Sequence, residues 1–154
     1  MDPELKAKLE AKAKWVRQKV VDMAVNAKSG HVSTAFSQTE LLVTLYYGGI
    51  LRYDPRNIKW EGRDRFIFSK GHAAAALYAA LAYQNFFPKE ILDTYAQPGS
   101  RLAEQPSPAS IPGVELATGS LGHGLPVGAG MALAGKIQGR PYRVYALMSD
   151  GECN

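Results

Sequence analysis

All the histidines of this sequence stand in turns built from glycine or serine: Ser29-Gly30-His31, Lys70-Gly71-His72 and Gly122-His123-Gly124. Imidazole titrates near neutral pH, so it can donate to a phosphate or pass a proton. Glycine beside it lets a backbone come close to a ligand. A plainer reading is that glycine simply makes the turns, and the residues alone leave the two readings balanced. Thr118-Gly119-Ser120-Leu121-Gly122-His123-Gly124 is a glycine-rich turn ahead of a helix. Such a turn suits an anion or a polar ring. It lacks the Gly-Lys-Ser/Thr of a Walker loop, and it follows a loop where a dinucleotide fingerprint follows a strand. Ser149-Asp150-Gly151-Glu152 comes directly after the apolar run Val144 to Met148. A lone carboxylate followed by Gly suits a hard cation whose other oxygens come from a phosphate. The competing reading is an Asp-Gly turn that merely ends a strand.

These turns need elements to hold them. Asp2-Pro3-Glu4 is a helix start, with an N-cap, Pro at the first helical position and an acid in the first turn. Leu5, Leu9, Ala13, Val16, Val20, Met23 and Ala27 continue it at helical spacing, and Ser29-Gly30 should end it with Gly30 as left-handed cap. His31 to Phe36 reads as a loop, and Ser37-Gln38-Thr39-Glu40 as a capping box opening a second helix that stops at Gly48-Gly49. Asp64 to Ser69 is a buried strand, Ala73 to Asn85 a helix, and Pro88 starts a short helix through Tyr95. The stretch from Gln97 to Pro112 is irregular, with Pro98, Pro106, Pro108 and Pro112 in it. Val127 to Ile137 is a helix lined by Ala and Gly, able to lie close to a neighbour, and Tyr142 to Met148 is a strand. Strands alternating with helices predict an α/β fold with a parallel sheet flanked by helices. Two evident strands are few for a complete doubly wound domain.

At 154 residues the chain is one domain's worth, and its apolar fraction of 46% suits a packed core. It contains no run long and apolar enough to span a membrane and no secretory leader at its N-terminus. Cys153 is the single cysteine, so no internal disulfide can form and a cytoplasmic setting is expected. Beside the acidic turn, Cys153 is read as a bystander. The net charge of +4 gathers at Lys6, Lys8, Lys12, Lys14, Arg17 and Lys19. Without basic–aromatic interleaving this is a solvated helix face and no nucleic-acid site. The charge can still attract anionic metabolites.

Taken in order, Ser-Gly-His, Ser-Lys-Gly-His-Ala, Pro-Gly-Val-Glu, Thr-Gly-Ser-Leu-Gly-His-Gly and Ser-Asp-Gly-Glu resemble the N-terminal, diphosphate-binding (PP) part of transketolases. The likeness is nearest to those whose N-terminal half is a separate subunit. The resemblance implies a thiamine-diphosphate-binding fold over residues 1–154. It implies transfer of a two-carbon ketol unit from a ketose phosphate to an aldose phosphate. By position, Asp150 matches a ligand to Mg2+ or Ca2+, and Gly151 a backbone contact to the diphosphate. Gly119 and Leu121 match residues that meet the aminopyrimidine ring. His72 matches a histidine at the diphosphate and the reacting carbons, and His31 one at the donor's hydroxyls, which makes both candidate proton-transfer groups.

Departures from the pattern qualify this. Gln105 stands where a substrate-binding histidine is expected, and an amide cannot take up a proton at neutral pH. Ser149 replaces a glycine, and His123 stands where Gln is frequent. The Asn that would complete the metal site is absent, as is the domain bearing the activating glutamate. The expectation is therefore a PP domain truncated at its metal motif and inactive without further chain or a C-terminal subunit; a homo-oligomer, alone or with that subunit, is the expected assembly. Alternatives are a 1-deoxyxylulose-5-phosphate-synthase-like fragment, or a binding protein that has lost its reaction.

Overall fold

The chain is described here by a computed structural model over residues 2–109 and 111–154. Ser110, within the irregular stretch, lies outside the described residues. Helix α1 runs Pro3–Ala27, with the Asp2 carboxylate accepting from Glu4 N–H at 3.2 Å, and it buries Leu9, Ala13, Val16, Val20 and Met23 as one stripe. Its left-handed cap is Lys28 (φ 52°, ψ 31°), two residues before the expected Gly30. The Lys28 N–H closes back onto the carbonyls of Ala24 and Val25, so the chain has already turned when Gly30 is reached.

Two further expectations are corrected in the next segment. The predicted loop at His31 to Phe36 holds a short helix, α2 (Val32–Phe36), and the capping box at Ser37–Glu40 does not form. Ser37 Oγ donates to the Thr34 carbonyl at 2.9 Å, and Glu40 is drawn to Arg17 across the helix pair. With both box partners engaged elsewhere, α3 (Thr39–Tyr47) starts from Gln38 with no side-chain cap. The segment after Pro88 is a 3-10 turn, Lys89–Thr94.

Strand β1 (Arg65–Phe68) pairs in parallel with β2 (Val144–Leu147), Arg65 opposite Val144 and Phe68 opposite Leu147. Among the described residues these two strands form the sheet. Alternation along the strands splits the core. Phe66, Phe68 and Leu147 join the core built by α1, α3 and α4 (Ala74–Tyr83), and α4 is buried from Ala74 to Ala82. Ile67, Val144 and Ala146 face α5 (Gly124–Ile137). The buried residues of α5 are Gly124, Gly128 and Gly135, as its small-residue composition predicts. A Cβ at Gly128 would come 3.3 Å from Ile67, and one at Gly135 would come 2.8 Å from the Tyr142 ring. The outer face of α5 leaves Leu125, Leu133 and Ile137 exposed.

The basic face of α1 is largely paired or stacked. Lys6, Lys8, Arg17 and Lys19 meet Glu10, Glu4, Glu40 and Asp22, and Lys12 lies over the rings of Tyr47 and Tyr83. No helix among the described residues is long and apolar enough to cross a membrane.

At the N-terminal edge of the sheet, the buried Asp64 carboxylate ties both strands to the preceding loop. It accepts from Arg52 N at 3.0 Å, Arg52 Nη2 at 2.7 Å and Arg143 N at 2.8 Å. Burial would raise its pKa, but these donors outweigh burial and hold it below the usual carboxylate range. Asp64→Asn sets an amide N–H against some of those donors. The expected loss is about 1–3 kcal/mol of stability, read as a lower midpoint in thermal unfolding.

Candidate active site

Both strands deliver their carboxyl ends to the same side of the sheet, the side where open α/β sheets bind ligands. After β1 come Ser69-Lys70-Gly71-His72, and after β2 come Ser149-Asp150-Gly151-Glu152. Ser69 N–H donates to the Leu147 carbonyl at 2.9 Å and keeps the two exits side by side. The glycine-rich turn before α5 is pressed against both. A Cβ on Gly71 would lie 2.5 Å from the Thr118 carbonyl oxygen and 2.7 Å from Gly119 N, so only glycine allows this backbone-on-backbone contact. Gly124, the first residue of α5, sits on Ser69, its N–H 3.2 Å from the Ser69 Oγ acceptor. Arg63 holds the loop leading into this turn through a two-pronged ion pair with Glu115.

The predicted histidines meet. The His31 and His72 rings lie 5.3 Å apart between centroids, edge to face at 73°. His31 is exposed at the start of α2, and His72 is half-buried in a 3-10 turn, Gly71–Ala73. Burial lowers the His72 pKa below the ordinary imidazole value, His31 and Lys70 lower it further, and Glu152 opposes them. Gly119 lies under the Gln105 side chain, so the residue that departs from the family pattern faces a residue expected at the ring. Leu121 is 56% exposed, and the position of a Cβ on Gly151 is open space. Asp150 is exposed, and its carboxylate accepts no hydrogen bond among the described residues. No group of three or more His, Cys, Asp or Glu side chains converges as an ion-binding set among those residues.

Two residues that sequence reasoning passed over are central here. Glu152 is buried and accepts hydrogen bonds from Ser69 Oγ, Gly122 N, Ser149 N and Ser149 Oγ. Burial would raise its pKa, yet these donors hold it below the usual value. The Ser149–Glu152 pair forms a true capping box at the head of the 3-10 turn Asp150–Cys153. The Ser-x-x-Glu spacing signals it. Lys70 is 7% exposed, donates to Ser37 Oγ at 3.1 Å and makes no ion pair among the described residues. Nearby, the buried Thr118 Oγ1 has no hydrogen-bond partner among the described residues. A groove of about 650 Å³ between α1 and α3 is lined by none of these residues.

Fold and turns together gather these loops at the carboxyl ends of parallel strands, where open α/β sheets take their ligands. Residues 9–151 match the family described as transketolase, thiamine diphosphate binding domain, and the chain belongs to that family. It is 43% identical over 145 residues to one of the subunits of the apulose-4-phosphate transketolase of Actinobacillus succinogenes, covering 94% of this chain and 52% of that protein. Against the 6-deoxy-6-sulfo-D-fructose transketolase subunit SqwG of Clostridium sp. (strain MSTE9), identity is 38%, covering 94% of this chain and 52% of that one. Transketolase from Campylobacter jejuni superposes with a TM-score of 0.88 at 31% identity, over 99% of this chain and 24% of that chain. The chain thus spans about half the length of the curated relatives it matches.

Proposed function

We propose that this chain is the cofactor-binding portion of a split transketolase, acting with thiamine diphosphate and Mg2+ or Ca2+ on sugar phosphates. One observation carries the reading. The turns after β1 and β2 and the turn before α5 converge at the strand ends, with His31 and His72 5.3 Å apart beside them. The residues fit such a cofactor. Among the described residues, Lys70 is a buried cation with no ion-pair partner and Thr118 Oγ1 a buried polar atom with no hydrogen-bond partner, and Leu121 offers exposed apolar surface. When bound, thiamine diphosphate supplies the nucleophilic carbon that takes up a two-carbon ketol unit from a ketose phosphate and passes it to an aldose phosphate.

In this reading Asp150 binds the metal, while Gly151 and His72 contact the diphosphate. Gly119 and Leu121 seat the aminopyrimidine, and Lys70 answers the diphosphate's charge. His31 and His72 hold the donor's hydroxyls and move their protons. Lowered as it is, the His72 pKa keeps its imidazole neutral at physiological pH and able to accept. The exposed outer face of α5 supports a further contact in the working enzyme. A C-terminal transketolase subunit, as the names of the relatives suggest, or a second copy would supply it. A cytoplasmic setting accords with the lone cysteine.

The test is a coupled assay offering a ketose phosphate and ribose 5-phosphate with thiamine diphosphate, Mg2+ and a C-terminal transketolase subunit. Two-carbon transfer that needs both proteins supports the proposal. A second reaction offers pyruvate and glyceraldehyde phosphate instead; transfer in that reaction only, or in neither, contradicts the proposal.

A further inference from the structure

Four donors converge on one buried carboxylate at the heart of the site. Glu152 Oε1 accepts from Ser69 Oγ and from Gly122 N at 3.0 Å, and Oε2 accepts from Ser149 N at 2.8 Å and Ser149 Oγ at 3.2 Å. Ser69 Oγ in turn accepts from Gly124 N at 3.2 Å. One side chain therefore ties the exit of β1, the glycine-rich turn and the turn that bears Asp150, and reaches the first residue of α5 through Ser69 Oγ. Loops without such ties move independently, because exposed connecting segments have few contacts to order them. We propose that Glu152 is a positioning residue, whose carboxylate clamps the three ligand-bearing turns into one rigid cradle for a diphosphate. The identity of the ligand rests on the proposed function; the clamp itself does not.

Only a carboxylate can do this. It presents acceptors alone, whereas an amide would turn its NH2 toward a donor on one of its two sides. Asp64 provides a matched control: it is also a buried carboxylate accepting several bonds, but it sits at the far edge of the sheet.

The experiment compares Glu152→Gln with Asp64→Asn by backbone amide hydrogen exchange and by calorimetric titration with thiamine diphosphate plus Mg2+. Exchange at Gly122, Gly124 and Ser149 should be at least about tenfold faster in Glu152→Gln than in Asp64→Asn, as loss of a buried hydrogen bond implies. Affinity should fall at least about tenfold in Glu152→Gln alone. Should Glu152→Gln fail to fold, Ser69→Ala removes one arm of the clamp and should loosen Gly124 selectively. Exchange at these amides no faster than in Asp64→Asn would overturn the clamp. Faster exchange with affinity equal to that of Asp64→Asn would overturn its positioning role. If the unaltered chain shows no affinity for the probe even with a C-terminal transketolase subunit present, the proposed function fails, and exchange alone decides the clamp.

Discussion

His72→Asn should cut two-carbon transfer by about a hundredfold or more when assayed with a C-terminal subunit, the scale for losing a positioned proton-transfer group. The geometry behind this is the pair of imidazoles 5.3 Å apart, one half-buried and one exposed, at the mouth of the strand-end cradle. Because asparagine can still donate a hydrogen bond but cannot take up a proton, the fall should appear in kcat more than in KM. The same variant has a signature in stability. Burial, His31 and Lys70 depress the His72 pKa below 6.5, so between the folded value and 6.5 the unfolded chain binds more protons than the folded one. Stability from this group is complete above 6.5 and is lost as pH falls through the folded value. His72→Asn should remove that part of the slope, as urea unfolding at a series of pH values would reveal. An unchanged slope would mean that His72 is not held neutral by its surroundings.

Gly71→Ala is expected to be the most damaging single methyl group in the site. Its Cβ would lie 2.5 Å from the Thr118 carbonyl oxygen and 2.6 Å from the carbonyl carbon, both backbone atoms that no side-chain rotation can clear. The turn bearing His72 and the turn bearing Gly119 must move apart. Overpacking of this kind costs about 1–3 kcal/mol of stability. Displacement of the cradle by about 1 Å should cost activity on the order of a hundredfold. Gly130→Ala makes a useful comparison, since no atom lies within 4 Å of the position its Cβ would take and the residue sits in a helix. It should leave activity unchanged and stability equal or slightly higher. Equal effects from the two substitutions would show that the close approach at Gly71 plays no part.

How legible all this was in the sequence depends on whether a signal was local. Helix α1 was readable because its cap and its stripe of Leu9, Ala13, Val16, Val20 and Met23 are short-range patterns. The parallel pairing of β1 with β2 and the glycine face of α5 followed from composition and order. Gly30 was the natural choice for a left-handed cap, yet Lys28 adopts that conformation because its N–H reaches two orphan carbonyls first. The Ser-x-x-Glu spacing of a capping box occurs twice, at Ser37–Glu40 and at Ser149–Glu152, and local pattern cannot choose between them. Arg17, distant in sequence, takes Glu40 out of the first, while Ser69 and Gly122 hold Glu152 in the second. Tertiary partners decided both cases.

The same limit applies to the site. His31, His72 and Asp150 stood out by residue type and by their turns, whereas Gly119, Leu121 and Gly151 were singled out only through the resemblance to the family. Glu152 and Lys70 were singled out by neither, since a surface carboxylate and a surface lysine read identically to buried ones until the chain folds around them. Gln105 was flagged only as a departure, and its place against Gly119 depends on a contact between two loops.

In the function proposed above, the turns at the strand ends form a cradle for a metal-bound diphosphate. The most direct test is a map of amide and imidazole chemical-shift changes as thiamine diphosphate and Mg2+ are added together, a readout that registers even weak binding. Saturable changes should be confined to His31, His72, Gly119 to Gly122 and Asp150 to Glu152, and should be lost when Mg2+ is withheld. Changes centred on the groove between α1 and α3, or none at these turns at millimolar ligand, would contradict it.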